Sequence, residues 1–284
     1  MGSARFGLRA SLRRRRTRLL ARAQRRIPFP VLLAGLIGLA FFLLPLLSLV
    51  VRVSWGSLWS DLSSPVAFQA LRLSLECSLA STALSLILGV PLAWILARAH
   101  FPGRALVRAI VLLPMVLPPV VGGVALLFAF GRSNGVFGPW LFHNFGIQLT
   151  FTPAAVVMAE TFVAMPFLVI TVESGIRSLD PRFEEVAQTL GASPRRVFWR
   201  VILPLLRPTL FAGAALAWAR ALGEFGATIT FAGNITSRTQ TTPLAVYLLL
   251  ESNPPAAIAL SVVLLAVSLA VLVLLRDRWF GLKR

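Results

Sequence analysis

A chain of 284 residues that is 57% hydrophobic and only 13% charged does not have the composition of a soluble domain. Its 28 basic against 10 acidic residues give a net charge of +18, a balance that suits either nucleic acid or an anionic membrane surface. The single cysteine, Cys77, lies inside an apolar run and excludes an intramolecular disulfide.

Six apolar runs, roughly 31–51, 72–97, 106–130, 154–172, 206–231 and 256–275, each reach the ~20 residues that cross a bilayer as a helix. Backbone groups in lipid must satisfy one another, so helices are the default. The short alternating segments of a β-barrel are absent from the sequence. The expected fold is an all-α membrane protein with six transmembrane helices. Its parts are an Arg-rich segment 1–30, a membrane domain 31–276 and a short tail 277–284.

Ten arginines precede Pro28. With that end cytoplasmic, the loops 98–105 and 173–205 and the C-terminal tail also face the cytoplasm. Those segments carry Arg98, Arg104, Arg177, Arg182, Arg195, Arg196, Arg200, Arg276, Arg278, Lys283 and Arg284. The opposite side keeps Arg52, Arg132 and Arg238, with Arg72 at the edge of a span. This asymmetry fits the positive-inside rule, and the basic head reads as a topology anchor on anionic lipid rather than a nucleic-acid site. Run 31–51 exceeds a signal-peptide core, and no small-residue cleavage site follows it.

Trp55 and Trp59 suit the membrane interface. The second run is rich in small residues (Ser74, Ser78, Ala80, Ser81, Thr82, Ala83, Ser85), which let helices approach closely, so it is expected to face protein. The third holds Pro114, Pro118, Pro119, Gly122 and Gly123, and must bend or break. A broken helix near the midplane is where transporters place their path, which makes Pro114, Pro118, Pro119 and Gly122 candidate pathway residues. Segment 131–153, rich in Gly, Asn, Phe and Pro, reads as an outer surface loop, and 232–255 as a polar outer loop.

The loop 173–205 is ordered by its own sequence. Asp180-Pro181 starts a helix, Glu184 and Glu185 complement its dipole, and Gly191 supplies a left-handed cap. Phe183, Val186, Ala187 and Leu190 form one apolar stripe. Ser193-Pro194 starts a second short helix, and Leu203-Pro204 opens the fifth span. In the fifth span Arg220 and Glu224 lie four apart and can neutralise one another inside the membrane.

Glu185-Val186-Ala187, Gly191 and, after nine residues, Val201-Ile202-Leu203-Pro204 resemble the E-A-A-x-x-x-G-x9-I-x-L-P loop of bacterial ABC importer permeases. Val186 and Val201 depart conservatively from that pattern, and its spacing is intact. The resemblance implies that Glu184, Glu185, Ala187, Gly191 and Pro204 belong to a coupling helix gripped by an ATPase. Gly223-Glu224-Phe225-Gly226-Ala227-Thr228, Ala232-Gly233-Asn234, Thr239-Gln240-Thr241-Thr242-Pro243-Leu244-Ala245-Val246-Tyr247 and Gly131-Arg132 are similar to the molybdate/tungstate branch, with parts shared by sulfate permeases. The implied protein is a homodimeric permease in the bacterial or archaeal cytoplasmic membrane. It would be served by an extracytoplasmic oxyanion-binding protein and two ATPase subunits that hold the ATP and magnesium. Thr228, Thr230 and Asn234 suit a path of weak neutral donors.

No G-x-x-x-x-G-K-[ST] is present, so the chain is expected to be a translocation subunit with no catalytic, cofactor or metal residues of its own. Three other readings compete: a sulfate or thiosulfate permease, an ion-coupled transporter relaying through Glu76, Glu160 and Glu224, and a membrane enzyme. The only histidines, His100 and His143, fall on opposite sides of the expected topology, which disfavours a shared metal site.

Overall fold

The computed structural model describes residues 28–279, with side chains through residue 273. All regular structure among them is helical. The chain divides into two units, one ending at Arg52 and the other starting at Val53. The first contains α1, Phe29–Val51, uncharged and long enough to cross a membrane. The expected head 1–30 lies almost wholly outside the described residues, as does the end of the tail.

In the second unit the helices are α2 (Leu58–Leu62), α3 (Pro65–Arg98), α4 (Arg104–Val116), α5 (Pro119–Phe130), α6 (Gly138–Phe145) and α7 (Pro153–Ser178). There follow α8 (Arg182–Thr189), α9 (Pro194–Val197), a π-turn (Phe198–Ile202), α10 (Leu203–Leu222), α11 (Gly226–Phe231), α12 (Thr242–Ser252) and α13 (Pro254–Trp279). Ser64-Pro65 and Thr152-Pro153 start α3 and α7 alike. The hydroxyl accepts from the backbone N–H three residues on, and proline fills the first helical position.

α3 and α7 form the centre, with α10 packed against both. The small residues of α3 divide by face. Ser74, Ser78, Ser81, Thr82 and Ser85 are buried within the chain, whereas Ala80 and Ala83 are exposed on it. The buried serines hold three different neighbours. Ser74 Oγ accepts from Thr242 N of α12 at 2.7 Å, Ser78 Oγ from Trp218 Nε1 of α10 at 3.0 Å, and Ser81 Oγ from Thr161 Oγ1 of α7 at 3.2 Å.

The third apolar run breaks where its prolines predict. Leu117 N closes α4 on Leu113 O, Pro118 caps α5, and Pro119 takes its first position. Neither proline has an N–H to strand in the membrane. α4 and α5 are bent by 118°, which by length alone allows a broken span or a re-entrant loop. Contacts decide between them. Arg108 of α4 bonds Glu173, near the end of α7, whereas Leu126 and Phe130 of α5 pack with Ala155 and Val156 at its start. Those levels lie about 25 Å apart at ~1.5 Å per residue, so the pair crosses the bundle.

Four expected elements need correction. The fifth run is not one helix to residue 231: α10 stops at Leu222 and α11 restarts at Gly226. The second short helix of the 173–205 loop is not separate but runs through the π-turn into α10. Pro204 has no N–H to give Arg200 O, and a widened turn accommodates that missing bond. The 232–255 segment is not a polar surface loop, for Thr239, Gln240, Thr241 and Thr242 are buried and α12 follows. Segment 131–153 likewise carries a helix, α6.

Single cysteines on a Cys77→Ala background test the crossing. Ser133→Cys should react with an impermeant maleimide from outside intact cells, and Phe101→Cys only after permeabilisation. Labelling of both from one side would make α4–α5 a re-entrant loop.

Candidate functional site

Two places in the bundle carry the chemistry: the α8–α9 loop at one end, and a junction of broken helices within it.

At the loop, Asp180 Oδ1 accepts from Arg182 N at 3.0 Å, capping α8 as expected. Gly191 adopts φ +80°, and Ala192 N reaches back to Ala187 O at 3.0 Å, closing the left-handed cap. Glu184 and Glu185 have different surroundings. Glu184 turns inward and pairs with Arg98 at the end of α3, while Glu185 is exposed. Ala187 packs on the core, leaving Phe183, Val186 and Leu190 exposed beside Glu185. Such an apolar face on a charged, capped element suits a protein partner.

Behind the loop, three helix ends are tied together. Glu173, 6% exposed, takes Arg108 of α4 and Arg177 of its own helix, the latter with an Nη2–Oε1 distance of 2.8 Å. Both arginines also donate to Leu96 O, one of the carbonyls that α3 leaves unpaired at its C-terminus. Arg98 lies over the Trp94 ring, 5.7 Å from its centroid. Arg98 and Arg177, read in the sequence as topology signals, are therefore also structural ties.

Within the bundle, α5 crosses α11 at van der Waals contact. A Cβ at Gly123 would stand 2.7 Å from Ala227 O, and one at Gly226 would stand 2.9 Å from Pro119 Cβ. Between α10 and α11, the expected Arg220–Glu224 pair forms, with Arg220 Nη2 2.6 Å from Glu224 Oε2. That contact is a charge pair without hydrogen-bond alignment, for Oε2 has no hydrogen-bond partner. Glu224 Oε1 accepts from Ala227 N at 2.9 Å, capping the one-and-a-half turns of α11. Glu160 of α7 is equally buried, its Oε2 unbonded and without a cationic partner among the described residues.

The junction collects some predicted pathway residues and not others. Pro119 meets Gly226, and Gly122 lies against the Phe162 ring. Thr228 is fully buried with an unbonded hydroxyl, and Asn234 has an unbonded, buried Oδ1. Thr230 instead donates to Gly226 O at 2.8 Å, and Pro114 sits on the other arm of the break, in α4. Sequence reasoning did not single out Gly123, Gly226, Glu173 or Arg108 as site residues. The Glu173–Arg177 spacing of four was a usable signal; nothing local marks Arg108. His143 Nδ1 lies 2.7 Å from Pro139 O on α6, and His100 is at the opposite end of the bundle, beside the end of α3.

Glu224→Ala strands Arg220 and uncaps α11. It should cost about 3 kcal/mol or more, the range for removing one partner of a buried pair, and lower the thermal unfolding midpoint in detergent. The double variant Arg220→Ala/Glu224→Ala should recover part of that loss. A single variant with wild-type thermal stability would remove the pair from the account of this junction.

Comparison with known proteins agrees with this geometry. The family described as binding-protein-dependent transport system inner membrane component matches residues 89–282. A molybdenum transport system permease protein, ModB, of Mycobacterium tuberculosis is 47% identical over 86% of this chain and 92% of its own length. A sulfate transport system permease protein, CysT, of Escherichia coli is 41% identical over 81% of this chain and 84% of its own. Among solved structures, a bacterial ABC transporter for the polysaccharide alginate superposes with a TM-score of 0.67 at 19% identity, covering 97% of this chain and 100% of that one. This resemblance speaks to fold alone. The chain is a multi-pass membrane protein that belongs to the inner membrane components of binding-protein-dependent transport systems.

Proposed function

We propose that this chain is the membrane-spanning subunit through which an ATP-driven importer moves molybdate or tungstate into the cytoplasm. The observation that carries the reading is the 47% identity to the molybdenum permease over 86% of the chain, against 41% over 81% for the sulfate permease. The α8–α9 loop and the basic ends of α3, α4 and α7 face the cytoplasm, and α6 faces outward. Two copies form the pathway between them. An extracytoplasmic binding protein delivers the anion, and two ATPase subunits grip the α8–α9 loops.

The geometry supports a division of labour in that loop. Glu185, Phe183, Val186 and Leu190 present a surface to the ATPase. Glu184, held by Arg98, fixes α8 to the end of α3. The unbonded hydroxyl of Thr228 and the amide of Asn234 serve a path of weak, neutral contacts that releases a dianion. Such a path discriminates poorly between molybdate and sulfate, so selectivity belongs mainly to the binding protein.

Two measurements test the reading. A deletion strain should lose high-affinity molybdate uptake and keep sulfate uptake; the reverse loss would assign the chain to sulfate. In the purified transporter, Arg98→Glu should leave the ATPase bound but weaken its stimulation by loaded binding protein. The exchange Arg98→Glu/Glu184→Arg should restore it. Full stimulation in the single variant would remove the tie from the coupling route, as co-purification of the ATPase at wild-type yield with Gly191→Leu would remove the left-handed cap.

A further inference from the structure

A second polar site lies outside the junction, on the face opposite the α8–α9 loop. Beyond α5 the chain turns back on its own helix end. Val136 N bonds Phe128 O at 2.9 Å, Phe137 N bonds Ala129 O at 2.8 Å, and Gly135 N bonds Gly131 O at 3.0 Å. These bonds satisfy carbonyls that α5 would otherwise leave unpaired. The turn is too tight for side chains: a Cβ on Gly135 would stand 2.5 Å from Gly131 O, and one on Gly138 only 1.9 Å from it. Arg132, Ser133 and Asn134 thus stand on a fixed backbone rather than on a loose loop.

They line a cavity of about 390 Å³ together with Gln148, Thr150 and Phe151. Arg132 is held on two sides. Its guanidinium carbon lies 3.9 Å from the centroid of the Phe142 ring, and its Nη1 donates to Gln148 Oε1 at 3.0 Å. Gln148 is oriented in turn by its Nε2, which donates to Thr150 O at 3.3 Å. Among the described residues Arg132 has no carboxylate partner, and its Nε and Nη2 make no hydrogen bond. The side chains of Ser133 and Asn134 are likewise unbonded. Phe151, across the cavity, is held at φ +62° and packs on Gly233, where a Cβ would meet its ring at 2.9 Å. Gly233, far from Arg132 in sequence, thus backs the cavity through the Phe151 ring.

A positioned guanidinium with a free edge, flanked by a hydroxyl and an amide, is a receptor for a planar or tetrahedral oxyanion. Stacking on Phe142 and the tether to Gln148 order the fork before any ligand arrives. Exposure to water keeps the attraction modest, which suits a place the anion leaves again. The volume leaves room for an oxyanion that keeps some of its water, at ~30 Å³ per water.

We infer that the Arg132 cavity is an outer transit site that receives the tetrahedral oxyanion on its release from the binding protein, before it reaches the α5–α11 junction. The inference rests on the oxyanion-importer reading. A carboxylate of the docked binding protein could meet the same guanidinium, and the experiment separates the two sources.

The test uses the complete transporter in proteoliposomes, with binding protein loaded with molybdate. Arg132→Gln should lower maximal uptake about tenfold, the factor one charge-assisted hydrogen bond supplies, with unchanged affinity for immobilised binding protein. Arg132→Lys should retain part of the rate, and Arg238→Gln, another outer arginine, should match wild type. Gln148→Leu keeps the charge but frees the fork. It should lower uptake several-fold, and it carries the test if Arg132→Gln does not accumulate. Parallel loss of binding-protein affinity would make Arg132 a docking contact and overturn the proposal. Wild-type uptake by Arg132→Gln and Gln148→Leu would also overturn it. A wild-type transporter that moves neither molybdate nor sulfate would instead overturn the oxyanion-importer reading itself.

Discussion

The buried serine face of α3 is the constraint on which the bundle depends. Lipid offers no hydrophobic drive to bring one apolar helix against another, so close backbone approach and hydrogen bonds must do it. Ser74, Ser78 and Ser81 recur at spacings of four and three, on one side of α3, and each engages a different helix. Ser74 and Ser78 accept N–H groups that would otherwise be stranded in an apolar interior, and Ser81 lies within hydrogen-bond distance of the Thr161 hydroxyl. α12, α10 and α7 are thereby set around α3 in fixed order. The arginines that bond Leu96 O then lock the same helix at its other end.

That arrangement leaves the breaks in the other helices chemically supported. α5 begins with two prolines, which have no N–H to satisfy, and α11 begins under the Glu224 carboxylate, which takes the N–H of Ala227. The two interrupted helices meet where Gly123 and Gly226 remove the side chains that would hold them apart. Irregular backbone at membrane depth is tolerable where it is enclosed by protein or lines a path, and here α7 and α3 supply the enclosure. Glu160 is the exception, a second buried carboxylate whose Oε2 has no hydrogen-bond partner among the described residues.

Much of this was legible in the sequence, for reasons that differ by residue. Gly191, Asp180 and the proline cluster act through local backbone chemistry, so their caps and break could be read from neighbouring residues alone. The Arg220–Glu224 pair is only four residues apart and was legible for the same reason. The break at Gly223–Phe225 was not, because an apolar helix and an interrupted one have the same hydropathy; only the contact of Gly226 with Pro119 demands it. The burial of Thr239 to Thr242 was hidden likewise, since four polar residues read as solvated until α3 supplies Ser74 Oγ and Ala70 O as partners. Arg98 and Arg177 were counted as charges marking a side of the membrane, and Arg108, inside the third apolar run, was not singled out. The tie each makes depends on which helix ends meet, and that is a property of the packed bundle.

The same ties determine which element can move against the rest. α3, α4 and α7 share one knot at Leu96 O and Glu173, and α8 is fastened to it through Arg98 and Glu184. α10 has no part in that knot. Its near end joins the loop through a π-turn, where backbone hydrogen bonding has already shifted register, and its far end stops at the Gly223 break. A helix bounded by two irregular joints can rotate or slide with little loss of regular hydrogen bonding, whereas a helix tied at its terminus moves with its partners. A force applied to the α8–α9 loop is therefore delivered unequally. Through Arg98 and Glu184 it reaches α3, α4 and α7, and through the π-turn it reaches α10, which packs against both α3 and α7. The far end of α10 bears Arg220 and Glu224, and Glu224 caps the helix that lies against α5. The loop and the junction are thus joined through α10, a helix whose two ends are its least regular parts.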